Sequence, residues 1–173
     1  MTNYKDKLHH ITTFVFDYDG VFTDGIMYLL GDTEVARTAN VKDGYAIQLA
    51  AKVGFNIAII TGGTQEAVRT RFEGLGVNTV YLGAKNKVEV LKGYMDKVGA
   101  KKENVCYMGD DLPDYQAIQM AGLATCPKDA VPEIKKLCDY ISPINGGKGC
   151  VRDIVEQTLK VHGKWITDKS WEW

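Results

Sequence analysis

Ile11-Thr12-Thr13-Phe14-Val15-Phe16, followed at once by Asp17-Tyr18-Asp19-Gly20, decides how this chain folds. A β-rich apolar run that stops at a carboxylate reads as a strand buried on both faces, the kind a parallel sheet carries. Downstream, residues 43–53 place Ala46, Leu49, Ala50 and Val53 at helical spacing, and Gly54 ends them. The same alternation continues. Short β-like runs at 57–60, 79–82, 105–108, 123–125 and 140–141 are separated by helical patterns at 64–75, 86–98, 114–121, 131–137 and 151–161. Strands and helices taking turns with short links predict an α/β protein, a doubly wound and mostly parallel sheet, built as one domain over residues 1–173. One segment, about 24–39, breaks the pattern. There two β-like runs, 26–30 and 34–38, flank Gly31-Asp32 and predict a small inserted β-hairpin. The tail, 162–173, holds Trp165, Trp171 and Trp173. So much aromatic surface reads as a docking segment, with another subunit among the possible partners and a frayed terminus as the plain alternative.

Composition narrows the function classes. With 21 Lys+Arg against 22 Asp+Glu the net charge is -1, which argues against a dedicated nucleic-acid binder. No apolar run approaches the ~20 residues of a membrane span. The first sixteen residues show no signal-peptide pattern, and Cys106, Cys126, Cys138 and Cys150 form no metal-spaced pair. Free thiols in a reducing cytoplasm are the expectation.

In an open parallel sheet, ligands bind beyond the carboxyl ends of the strands. Four such ends deliver chemistry here. They carry Asp17 and Asp19; Thr61-Gly62-Gly63; Gly83 with Lys85 and Lys87 behind it; and Gly109-Asp110-Asp111-Leu112-Pro113-Asp114. Carboxylates gathered on one rim repel unless a cation sits among them, and oxygen-only ligands suit Mg²⁺. A lone Asp is as readily a helix cap, which is an equal reading for Asp43 and Asp129. Thr61 and its two glycines read as a phosphate cradle, and Lys87 as its counter-charge, with Lys85 a surface residue.

These four ordered motifs resemble those of the haloacid dehalogenase superfamily of phosphohydrolases. The resemblance implies its Rossmann-like fold with Asp17 as nucleophile, Asp19 as acid and then base, and Thr61 and Lys87 as phosphate binders. It also implies Mg²⁺ held by Asp17, Asp19 and Asp110, supported by Asp111 and Asp114. Between Asp19 and Asp43 there is room only for the hairpin, as in the capless subclass. Asn40-Val41-Lys42-Asp43-Gly44 and Gly146-Gly147-Lys148-Gly149 further resemble the phosphatases of 3-deoxy-D-manno-octulosonate 8-phosphate (KDO 8-phosphate), enzymes of lipopolysaccharide sugar synthesis. That resemblance places Asn40, Val41, Lys42, Asp43 and Gly44 against the sugar acid and Arg71 on its carboxylate, and adds Asp19, Thr61, Gly62 and Lys87 to the substrate-binding set. It makes residues 146–149 a flap. It also implies a homotetramer whose neighbouring subunit shields each site. The alternative substrate is a nine-carbon sialic-type acid 9-phosphate (KDN or N-acylneuraminate). Gly63 and Gln48 stand where many relatives carry basic residues, leaving Arg69 or Arg71 to replace them. Gly63 also lacks the acidic side chain of the nine-carbon group and so favours the eight-carbon acid. A non-catalytic module of this fold would have eroded motifs, and here all are intact.

Overall fold

The computed structural model describes residues 3–32 and 34–172. Its centre is β1 (Thr13–Phe16), buried on both faces as its apolar run demands. The strand pairs in parallel with β4 (Asn56–Ile60) on one side and β6 (Val105–Met108) on the other. Strands β5 (Val80–Tyr81), β7 (Leu123–Cys126) and β8 (Tyr140–Ile141) extend the sheet to the order β5-β4-β1-β6-β7-β8, with every pairing parallel. Successive side chains alternate faces. Phe14 and Phe16 therefore meet α2 (Val41–Lys52), α3 (Glu66–Glu73) and α7 (Cys150–Val161) through Ile47, Phe72 and Ile154. Val15 and Tyr107 face the opposite layer of α4 (Lys87–Val98), α5 (Tyr115–Ile118) and α6 (Pro132–Lys135) through Leu91, Ile118 and Ile134. The doubly wound α/β class is therefore present, with a separate antiparallel hairpin of β2 (Tyr28–Leu30) and β3 (Glu34–Ala36).

The boundaries differ where capping chemistry intervenes. Asn40 accepts the Lys42 backbone N–H at 2.8 Å, so α2 starts two residues before the expected Asp43. Pro113 and the Asp111 cap hold residues 112–114 in a 3-10 turn, and α5 is correspondingly short. A first helix, α1 (Tyr4–Leu8), was not anticipated and packs Leu8 into the core.

The tail docks on its own chain. Trp165 is buried edge-on against Tyr45, with the Arg152 guanidinium 5.0 Å from its ring centre. Tyr45 donates its hydroxyl to the Ser170 carbonyl at 2.6 Å, and the ammonium groups of Lys52 and Lys169 bond carbonyls across the same seam. Trp171 is exposed, and Trp173 lies outside the described residues. Trp165 is thus a core residue shared by α2 and α7, and Trp165→Ala should cost about 3 kcal/mol of stability. Urea denaturation checks this; a loss below ~1 kcal/mol would mean that the tail is passive.

Candidate active site

Asp17 leaves the end of β1 with its backbone N–H on the Met108 carbonyl, so the two central strands hold it together. The next turn is self-bonded. The amides of residues 21, 22 and 23 all point to the Tyr18 carbonyl, and the Thr23 hydroxyl accepts from both Gly20 and Gly25. Gly20 is required here twice over. Its φ is +76°, and a Cβ would land on the Asp110 carboxylate.

Opposite Asp17, Lys87 begins α4 and is buried. Its ammonium lies 2.8 Å from the Asp17 carboxylate and 2.8 Å from that of Asp114. Asp114 is completely buried, and it also accepts from the Tyr107 hydroxyl at 2.8 Å and the Asp110 amide at 3.3 Å. Thr61 follows β4. Its Oγ1 accepts the Gly63 N–H at 3.0 Å, and its carbonyl takes the amide of Ala84. These turns from β4 and β5 form the wall opposite Asp19.

Carboxylate oxygens of Asp17, Asp110 and Asp114 lie within 4.8 Å of one another. Three carboxylates against the one Lys87 ammonium leave an excess of two negative charges. Burial, with Asp114 adding repulsion, pushes Asp17 up to about 8 against the pull of Lys87. Burial and then Asp114 and Asp111 push Asp110 up to about 7. Such carboxylates favour protonation at neutral pH unless a cation joins them, and a divalent ion matches both the excess charge and the all-oxygen donors. The residues present fit Mg²⁺.

Asp17, Asp19, Thr61, Lys87, Asp110 and Asp111 line one cleft of about 650 Å³, with Gly62 and Gly63 on its rim. Asp111 is exposed and caps the Leu112 amide at 2.7 Å. Asn40, Val41, Lys42, Asp43, Gly44 and Arg71, assigned by resemblance to the substrate, do not line this cleft. Asn40 caps α2, residues 41–44 form its first turn, and Arg71 lies in the last turn of α3. Asp43 is fully buried and accepts the Arg152 N–H at 2.7 Å, so it caps α7 from a neighbouring helix. Burial pushes its carboxyl up to about 6. Gly44 sits under the Arg71 guanidinium, where a Cβ would come within 2.7 Å of it. Arg71 itself borders a separate depression beside Tyr18 and Asn40. Arg69, the other cation considered there, bonds Glu66 and the Val80 carbonyl. Residues 146–149 are stapled to the turn after Asp17 rather than hanging free. Gly147 donates to the Val21 carbonyl at 2.9 Å, Asn40 donates to the Gly147 carbonyl at 3.2 Å, and Asp129 accepts from Gly146.

Two groups escaped the sequence reading. Tyr107 is an inward residue of β6 that no motif marks. Arg37, at the end of the hairpin, places its Nε 2.6 Å from the Asp19 carboxylate. Its only sequence signal was a single basic residue where the hairpin returns to the sheet.

A family model of haloacid dehalogenase-like hydrolases matches residues 80–154. The chain is 35% identical over 163 residues to the 3-deoxy-D-manno-octulosonate 8-phosphate phosphatase KdsC of Salmonella typhi, covering 94% of this chain and 87% of that protein. It is likewise 35% identical over 158 residues to KdsC of Escherichia coli K12, covering 91% and 84%. Among solved structures, the phosphatase of that name from Yersinia pestis superposes with a TM-score of 0.91 at 30% identity, covering 94% of this chain and 88% of the other. The Moraxella catarrhalis phosphatase, in complex with magnesium ion, phosphate ion and KDO, gives 0.88 at 32%, covering 93% and 92%. The ordered carboxylates, the parallel sheet and these similarities together place the chain among the haloacid dehalogenase-like hydrolases, in the family of 3-deoxy-D-manno-octulosonate 8-phosphate phosphatases.

Proposed function

We propose that this chain is a Mg²⁺-dependent phosphatase that hydrolyses KDO 8-phosphate to KDO and phosphate through an aspartyl-phosphate on Asp17. The observation that carries the reading is the meeting of Asp17, Asp19, Thr61 and Lys87 in one cleft, each from a different turn or helix start except the first two. An Asp17 oxygen attacks phosphorus, and the bond from phosphorus to the sugar oxygen breaks. Asp19, two residues on, gives its proton to the departing alkoxide. It then takes a proton from the water that attacks the phosphorylated Asp17 and frees inorganic phosphate. The Thr61 hydroxyl and the Lys87 ammonium face the transferring oxygens, where negative charge gathers. Asp17, the Asp19 main chain and Asp110 would hold Mg²⁺, with Asp114 and Asp111 behind them. When bound, the ion offsets the charge that keeps an anionic nucleophile from an anionic phosphate.

The eight-carbon acid is favoured because the relatives at 35% identity carry that name and a structurally similar enzyme binds KDO. The homotetramer belongs to the same proposal. Ile26, Met27, Tyr28, Leu29 and Leu30 are each at least half exposed on a two-stranded hairpin, and an apolar patch of this kind marks an interface. A cytoplasmic setting accords with four free cysteines. No helix among the described residues is long and apolar enough to cross a membrane.

Phosphate release with Mg²⁺ from KDO 8-phosphate, a sialic-type 9-phosphate, hexose phosphates and p-nitrophenyl phosphate tests the reading. Preference for the eight-carbon acid is the expected result, and preference for the nine-carbon acid would overturn the substrate while keeping the mechanism. EDTA should lower the rate more than ~100-fold, and added Mg²⁺ should restore it. Indifference to chelation would remove the metal.

A further inference from the structure

A phosphorylated sugar acid carries two anions, and the cleft has a place for each. At its base the Lys87 ammonium is shared between Asp17 and Asp114 and serves the phosphoryl end. Among the described residues one other cation lines the cleft, Arg37. It arrives from the end of the hairpin and meets the cleft at Asp19.

Its guanidinium is poised rather than spent. Nε is 2.6 Å from the Asp19 carboxylate, and one terminal nitrogen touches the Met27 sulfur at 3.3 Å. The other terminal N–H groups meet no acceptor among the described residues, yet the side chain is only 11% exposed. A guanidinium fork that opens onto the cleft with donors unmet suits a planar anion. Asp19 fixes its orientation, and Met27 limits its swing. Arg71, which resemblance assigned to the sugar-acid carboxylate, shares a neighbouring depression with Arg37 but does not line this cleft.

We infer that Arg37 is the specificity residue of the cleft, with its terminal nitrogens receiving the carboxylate of the substrate while its Nε stays on Asp19. This rests on the reading of the substrate as a phosphorylated sugar acid. The hairpin thereby acquires a role inside its own subunit's site. The fork ties the carboxylate that recognises the acid to the group that protonates the leaving oxygen.

The test compares wild type with Arg37→Met and Arg37→Lys on three esters: KDO 8-phosphate, a neutral hexose 6-phosphate and p-nitrophenyl phosphate. The two sugar phosphates share a primary alkoxide leaving group, so any damage to Asp19 lowers both alike. Their kcat/KM ratio isolates the carboxylate. In Arg37→Met the ratio should fall ~30-fold or more, and product inhibition by KDO should weaken in step, as when one partner of a desolvated charge pair is truncated. Arg37→Lys should recover part of both, since it keeps the charge and loses the fork. An unchanged ratio in Arg37→Met would overturn the assignment, even if every rate fell. A fall confined to the two alkyl esters relative to p-nitrophenyl phosphate would make Arg37 a positioning residue for Asp19 alone, also against the proposal. A wild-type enzyme that does not distinguish the acid from the neutral sugar would instead refute the substrate reading itself, and the inference with it.

Discussion

Asp17→Asn should release no measurable phosphate from any ester while folding as the wild type does. The substitution keeps shape and volume and removes only the nucleophilic oxygen, so the loss expected is about 10⁵-fold, the scale seen when a covalent nucleophile is deleted. Stability should move little, or upward. Burial and Asp114 already push the Asp17 carboxyl up to about 8, so without metal the folded chain gains nothing from that charge at neutral pH. Lys87 keeps Asp114 as partner. The rise in Tm expected when Mg²⁺ is added to the wild type should shrink sharply, since one of the proposed ligands of the ion has become an amide. Turnover within tenfold of wild type would take the nucleophile's role away from Asp17.

Lys87→Met should damage both catalysis and the fold. It removes the one ammonium that bonds Asp17 and Asp114 among the described residues and leaves two buried carboxyl groups facing each other. Breaking a buried pair from one side costs about 3–5 kcal/mol, and loss of the phosphate-facing cation should lower kcat about 10³-fold. The stability deficit should depend on pH in a defined direction. A carboxyl whose folded pKa stands above its ordinary value of 3.8 binds more protons folded than unfolded. Its stabilising effect is complete at low pH and fades as pH rises through the folded pKa. Without Lys87, whose charge pulls it down, the folded value of Asp17 rises further. The deficit should therefore be level below about pH 7 and grow as pH rises through 8 and above, and saturating Mg²⁺ should offset part of it. Urea titrations across that range check this. A pH-independent deficit would mean that lost packing, rather than stranded charge, is the cause.

Most of the fold was legible because its strands are short, apolar and separated by helical spacing. Thr13–Phe16 and the run ending at Met108 have no other reading once both stop at acidic turns. The catalytic cleft was legible for a related reason: parallel strands put their carboxyl ends on one edge, so residues adjacent to strand ends become adjacent in space. Arg37 was not legible because it reaches the cleft sideways from an antiparallel insertion, whose tilt no periodicity encodes. Asp43 and Arg71 lie off the cleft's lining, Asp43 in the first turn of α2 and Arg71 in the last turn of α3, because a helix rotates each side chain about 100° from its neighbour. A motif of consecutive letters therefore scatters over several surfaces. The tail's docking partner was equally hidden. Tyr45 and Arg152 sandwich Trp165 only after α2 and α7 have packed.

The staple between residues 146–149 and the turn after Asp17 bears on how the enzyme is made. Gly147 meets Val21, Asn40 bonds Gly147 across 107 positions, and Asp43 reaches Arg152 across 109. A side chain at Gly146 would run into the Gly20 carbonyl, so the two loops cross backbone on backbone. During synthesis on the ribosome, every catalytic side chain emerges long before the segment that clamps the nucleophile's turn. Contacts so distant in sequence form late and slowly. A chain released near residue 140 would thus hold the whole chemical inventory with the turn after Asp17 unclamped, and its phosphate release should fall far below that of the full chain.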